Sequence, residues 1–332
     1  MKYEIVGIGN ALVDVQLKVE DHFLSENSLI KGQMALRAHE EQKNLLDKFA
    51  GKTLHICSGG SAANTIHGLG AMGVSTYYIG KVAADEYGHH YTTDMKNCGV
   101  GFPGPDAKDS GTGTSVILIT PDAQRTMVTS LGISSSLHPE NVDETIIKSA
   151  RYVYIEGYLW TGDSTREAAL KVAAIARKAG IPVAFTLSDV FVVNSFKKEI
   201  MDFIQWNVDI LFCNDSEGMA LTEKKSAAEA FDELTSLADT VFFTCGKSGA
   251  WAKSQSQPKV EAHSYNVEAI DTTGAGDLFA AGALLGLLHN KSLKESVILG
   301  NYCASQVITH LGARLPTHSH KNISKIINEY KE

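Results

Sequence analysis

The chain has 332 residues, 44% of them hydrophobic, which suits one large domain or one domain with a smaller attachment. A formal net charge of −8 argues against a general nucleic-acid binder, which needs basic patches over phosphates, but not against one phosphorylated ligand in a locally positive pocket. The five cysteines are scattered without a C-x-x-C and no apolar run is long enough for a signal peptide or a bilayer span, so the expectation is a soluble cytoplasmic protein with no disulfide framework, zinc site or membrane partner.

Residues 3–8 read as a buried strand running into the Gly7-Ile8-Gly9 turn. Val13 to Glu20 then alternates strictly between apolar and polar residues, the pattern of a strand with one polar face. Gln33–Leu36, Ser115–Thr120 and Arg125–Ser130 are further short strands, expected to form a small sheet apart from the main core. From about residue 150 the pattern becomes regular. Tyr152–Ile155 is a strand, Ser164-Thr165-Arg166-Glu167 is a capping-box sequence, and the helix after it should stop near Gly180 and Pro182. Val183–Leu187, Asp209–Cys213 and Thr240–Cys245 are apolar strands with helical segments between them. Such alternation predicts a parallel sheet covered on both faces. Apolar helices are expected from about Gly276 and about Leu293. With no repeat and no low-complexity linker, the small sheet is expected to be inserted in two pieces.

Asp271-Thr272-Thr273-Gly274-Ala275-Gly276-Asp277 precedes a small-residue helix. Two glycines flanking an alanine allow a tight turn at a helix start, where free N–H groups and the helix dipole attract an anion. Asp277 alone is also what an ordinary N-terminal helix preference gives. That preference does not account for the whole string. Ser58-Gly59-Gly60-Ser61-Ala62-Ala63-Asn64 offers close backbone approach plus a side-chain donor and acceptor, or simply a loop before a helix. Asn214-Asp215-Ser216-Glu217 ends an apolar strand, where open α/β sheets bind ligands. Asn214 and Glu217 suit hydrated Mg²⁺ and phosphates, or equally a helix N-cap with an acidic first turn. Thr244-Cys245-Gly246-Lys247-Ser248-Gly249 is a glycine loop fit for a nucleotide. It is not a Walker motif, because Val241 stands where the first glycine is required.

Other strings carry less. Gly68-Leu69-Gly70-Ala71-Met72-Gly73 follows a helix rather than a strand, and after Gly7-Ile8-Gly9 the third glycine is replaced by Leu12, so a dinucleotide fold is disfavoured. His89-His90 and His318-Ser319-His320 have no supporting ligand set, and no G-x-S-x-G supports a hydrolase.

Together these strings resemble the ribokinase-like (PfkB) carbohydrate kinase family over nearly the whole chain. Asp271–Leu284 is similar to its C-terminal signature, and Gly59–Asn64 with Gly80-Lys81-Val82 and Asp85–Gly88 to its N-terminal one. Gly9-Asn10-Ala11-Leu12-Val13-Asp14 and Pro121-Asp122-Ala123-Gln124-Arg125 look most like the adenosine-kinase branch. The resemblance implies a three-layer α/β/α domain with a mostly parallel central sheet. It implies one kinase unit over 1–332, with a small β lid from about 12–38 and 112–132. It implies ATP with Mg²⁺, leaves K⁺ dependence open, and implies a nucleoside or sugar acceptor on a monomer or homodimer. Asp277 would be the base, Gly274, Ala275 and Gly276 the anion hole, and Arg125 a contact to the transferring phosphoryl group. Asp14, Gly59, Gly60 and Asn64 would hold the sugar. Gln33, Tyr158 and Leu159 would face the base. Asn214 and Glu217 would take the metal-and-phosphate position through water, and Thr244, Gly246, Gly249 and Thr273 the ATP site. Two departures bear on the acceptor. Tyr158-Leu159 stands where the animal adenosine branch often has paired aromatics, and Ala11 stands where that branch has a proline. A sugar kinase shares all the catalytic residues, and a non-catalytic binding protein on the same fold is the third reading.

Overall fold

A computed structural model of the protein describes residues 2–51, 54–105, 110–122, 124–315 and 323–330. Ala123, His318, Ser319 and His320 therefore lie outside the described residues.

The strands in chain order are β1 (Ile5–Ile8), β2 (Leu12–Lys18), β3 (Met34–Leu36), β4 (His55–Gly59), β5 (Thr76–Ile79), β6 (Gly113–Ile119), β7 (Arg125–Ser130), β8 (Tyr152–Glu156), β9 (Val183–Thr186), β10 (Ile210–Asn214), β11 (Thr240–Thr244), β12 (Ala250–Ser254) and β13 (Gln257–Ala262). Eight of them form one sheet in the order β13-β12-β11-β10-β9-β8-β1-β5. Pairings from β5 through β11 are parallel, and β12 and β13 add an antiparallel edge. The parallel strands are apolar on both faces because both are covered. Tyr154, Phe212 and Phe242 pack under the Ser61–Ala71, Ala275–Leu288 and Leu293–Val307 helices. Val153, Phe185, Leu211 and Phe243 pack under the Asp163–Lys178 and Lys197–Asn207 helices. The result is the three-layer, mostly parallel ribokinase-like arrangement. Because these strands run parallel, their carboxyl ends share one edge, and that edge carries Glu156, Thr186, Asn214 and Thr244.

The other five strands form a second sheet in the order β3-β7-β6-β2-β4. Its outer face buries Leu17, Val116, Leu118 and Val128 against Leu24 and Leu45 from the short helices at Asp21–Glu26 and His39–Asp47 and against Phe49 just after the second. Strand period 2 sends Leu12, Asp14 and Gln16 to the inner face. This sheet also contains β4, which the periodicity of its five mixed residues did not announce.

The Asp163–Lys178 helix departs from expectation at its start. It begins two residues earlier than a Ser164 cap would set it, Gly162 is the cap, and no side chain among the described residues caps it. The Ser164 hydroxyl instead donates to the Ser135 carbonyl at 3.0 Å, and Arg166 turns back to Asp163 at 2.7 Å. Neighbouring loops and a within-helix ion pair thus outcompete the local box.

Candidate active site

A cavity of about 490 Å³ lies between the carboxyl edge of the large sheet and the inner face of the small one, a size in the range of small-molecule sites. The body contributes Asn10, Gly60, Asn64, Glu156, Tyr158, Asn214, Glu217, Thr244, Gly246 and the turn Thr272–Asp277. The second sheet contributes Asp14, Met34, Leu36, Ile117, Arg125 and Met127.

The turn before the Ala275–Leu288 helix is held by Asp271, whose Oδ1 accepts from the Thr273 amide at 2.9 Å and its hydroxyl at 2.5 Å. Gly274 then takes φ +79° and caps the helix. A Cβ there would also meet Ala313 backbone at 2.7 Å, so only glycine fits. The first-turn amides of this 14-residue helix, Ala275 to Leu288, face the cavity with few intrahelical partners.

Asp277 lies in that first turn. Its carboxylate accepts from the Ser61 hydroxyl at 2.7 Å and the Asn64 amide at 2.9 Å, and the Thr65 hydroxyl donates to its backbone carbonyl at 3.0 Å. The Ser61–Ala71 helix thus clamps the acid from one side. Burial raises the Asp277 pKa, and the bonds from Asn64 and Ser61 with the charges of Arg125 and Arg314 pull against that rise.

Asp14 is buried on β2, and no described residue donates a hydrogen bond to its carboxylate. Burial pushes its pKa from 3.8 to about 7, against the charges of Arg314 and Arg125. Gly59 does not line the cavity, but a Cβ on it would lie 2.3 Å from the Asp14 carboxylate. Its bare Cα is what lets Asp14 occupy this position. The Arg125 guanidinium makes no ion pair with a described residue, and its Nη1 lies 3.7 Å from Met127 Sδ.

Asn214 and Glu217 do form a capping box. Asn214 Oδ1 accepts from the Glu217 amide at 2.8 Å, while the Glu217 carboxylate accepts from Asn214 N at 3.0 Å and Nδ2 at 2.7 Å. Both still line the cavity, and burial pushes Glu217 up to about 7. Among the described residues no three acidic, histidine or cysteine groups converge to hold a metal unaided. The donors present fit a cation shared with phosphates and water, with Asn214 and Glu217 as outer partners.

Several expected residues lie elsewhere. Gln33 is solvent-exposed and engaged through its carbonyl with Met127 N at 3.0 Å, because strand alternation gives the inner face to Met34 and Leu36. Leu159 is fully buried in the core under the large sheet. Its neighbour Tyr158 takes the cavity side, with its hydroxyl 3.4 Å from Asp189 Oδ2. Gly249 closes the loop after β11 at φ +96° but does not reach the cavity, whereas Thr244 and Gly246 do.

Three side chains here escaped sequence reasoning. Ser61 sat unremarked inside a singled-out string. Glu156 is a fully buried carboxyl at the end of an apolar strand. It accepts from Asn10 N at 2.6 Å, Asn10 Nδ2 at 3.0 Å and Ala62 N at 2.7 Å, and burial pushes it up to about 7. Such an acid closing an apolar strand was a readable signal. Arg314 had none. It pairs with Asp94, donates to Asn64 Oδ1 at 3.3 Å and to the Gly59 carbonyl at 3.2 Å, and lies over the Tyr91 ring. By occupying Asn64 Oδ1, Arg314 fixes which end of that amide faces Asp277. Gln16, which the alternation of β2 puts on one face with Asp14, donates to Asp271 at the base of the turn before Asp277 and is taken up below.

The model of the pfkB family carbohydrate kinases matches residues 5–320. The chain belongs to that family. This PfkB chain is 35% identical to the adenosine kinase of Sinorhizobium meliloti, whose structure superposes with a TM-score of 0.92 over 96% of this chain and 98% of that one. A probable sugar kinase from Rhizobium etli superposes equally, with a TM-score of 0.92 and 33% identity over 96% and 97% of the two chains. The adenosine kinase of Saccharomyces cerevisiae is 26% identical over 96% of this chain and 98% of its own. The protein is a kinase acting on a sugar or a nucleoside, with ATP as the phosphoryl donor of its family.

Proposed function

We propose that this PfkB kinase phosphorylates adenosine at its 5′-hydroxyl. The observation that carries this is the buried, unpartnered Asp14 carboxylate, which faces the same cavity as Asp277 and the 274–276 amides. An acceptor-only group needs donors, and two adjacent ribose hydroxyls supply them. With the ribose held by Asp14 and Asn64, a primary hydroxyl can reach Asp277, which accepts its proton late in the transfer. Amides of Gly274, Ala275 and Gly276 stabilise charge on the transferring group, and Arg125, which pairs with no carboxylate among the described residues, contributes to the same task. Asn214 and Glu217 would hold the magnesium that accompanies the nucleotide, and that ion would supply further charge neutralisation. Thr244 and Gly246 border the nucleotide at the strand ends.

The choice of a nucleoside over a bare sugar rests on the apolar lining of the small sheet. Met34, Leu36, Ile117 and Met127 offer a flat base a slot, with Tyr158 opposite. Gln33 and Leu159 have no part in it. The small sheet acts as a lid that keeps water from the phosphoryl group. A thermal-shift screen of adenosine, inosine, guanosine, ribose and fructose, with and without an ATP analogue, tests the proposal. Adenosine is expected to stabilise most, and a larger shift from ribose or fructose would overturn it.

A further inference from the structure

A buried polar contact ties the second sheet to the turn before Asp277 across 255 positions of sequence. Gln16 Nε2, on the inner face of β2, donates to Asp271 Oδ2 at 3.0 Å. Asp271 is fully buried and accepts three more bonds, from Thr273 N, Thr273 Oγ1 and Gly312 N. Those three come from the body's own loops, and Gln16 brings a donor from the second sheet. Gln16 does not line the cavity, so it does not touch a bound acceptor. Asp14, two residues earlier on the same face of β2, does line it.

We propose that Gln16 is a positioning residue that carries the placement of β2, set by acceptor bound at Asp14, to the anion-hole turn through Asp271. The inference rests on reading the 273–277 turn as the phosphoryl site. A space-filling role explains Gln16 poorly. Its Oε1 is buried without a hydrogen-bond partner among the described residues, a situation an apolar side chain of the same length would avoid. What the amide provides is the one donor that follows the small sheet. With β2 in place the Asp271 carboxylate is held from both sides and the turn it folds is fixed. With β2 withdrawn, the turn is held from the body alone. Acceptor and nucleotide sites are thereby coupled, and the coupling is reciprocal.

Two measurements on wild type and Gln16→Met test this. Titration of a non-hydrolysable ATP analogue with and without saturating adenosine should show adenosine tightening the analogue by about fivefold or more in the wild type and less than about twofold in the variant. Hydrogen exchange of the ligand-free proteins should show amides of 272–277 exchanging about fivefold faster in Gln16→Met, with the rest of the large sheet unchanged. Gln16→Glu adds a pH signature. At pH 5.5 (roughly) the introduced carboxyl is protonated and donates as the amide does, whereas at about pH 8 two carboxylates face each other and the coupling is lost. A coupling factor or exchange rate equal in wild type and Gln16→Met overturns the proposal. If adenosine does not bind the wild type, the adenosine reading fails on its own, and hydrogen exchange alone decides the role of Gln16.

Discussion

Asp14→Asn separates the cost of keeping a buried carboxylate from its use. In the folded protein burial moves Asp14 from 3.8 to about 7. Between those values the folded chain holds a proton that the unfolded chain has released. The stability from that proton is fully present below about pH 4 and lost as pH rises through about 7. Each pH unit in that interval is worth about 1.4 kcal/mol, so ionising Asp14 costs the free protein up to about 4 kcal/mol. Asparagine keeps the shape and is neutral throughout. For a chain of 332 residues the entropy of unfolding is about 0.7 kcal/mol per kelvin, so the cost corresponds to about 6 °C in Tm. The variant's melting temperature should match the wild type's below about pH 4, rise above it by about 2 °C at pH 5 and by about 6 °C at pH 8. Glu156 and Glu217, raised by the same cause, titrate in both proteins and cancel in the comparison. Activity should move the other way. Loss of a charged acceptor for two hydroxyls is expected to lower kcat/KM for the acceptor by about 10- to 100-fold. Tm profiles that stay parallel from pH 5 to 8 would refute the idea that Asp14 is a desolvated group awaiting a ligand.

Asp277→Asn should retain ATP binding while kcat falls by about 10²–10⁴-fold, and near-normal kcat in the purified variant would remove Asp277 from the mechanism. Arg314→Met should destabilise the fold by about 2–3 kcal/mol, because it leaves Asp94 facing an uncharged side chain. Adding Asp94→Asn should restore Tm but not kcat, since Asn64 still lacks the donor that orients it, and restoration of both by the double variant would count against that orienting role. Small-angle scattering should show compaction when adenosine and an ATP analogue bind together. An unchanged profile at saturation argues against a moving sheet.

The large sheet was legible because its strands are short apolar runs separated by helical periods, and the strings at their carboxyl ends fall on one edge. The inner sheet face was legible from the alternation in Val13 to Glu20, which places Asp14 and Gln16 together. What was not legible depends on contacts distant in sequence. Ser61 and Asn64 reach Asp277 across more than 200 positions, and Arg314 reaches Asn64 across 250. Gln33 and Leu159 illustrate the complementary limit. Each is one residue from a side chain that does line the cavity, and strand parity or the tight turn at Gly157–Thr161 sends it the other way. The Ser164 box failed because nearby carbonyls and Asp163 were better partners for the same side chains.

The acceptor itself is tested most directly by initial rates of ADP release with adenosine, inosine, guanosine, ribose and fructose under one ATP concentration. Burying roughly 100 Å² of base against Met34, Leu36, Ile117 and Met127, at about 25 cal/mol per Å², contributes about 2–3 kcal/mol that a bare sugar cannot gain. Adenosine should therefore exceed ribose and fructose by well over tenfold in kcat/KM, and equal or better turnover of either free sugar would contradict the assignment.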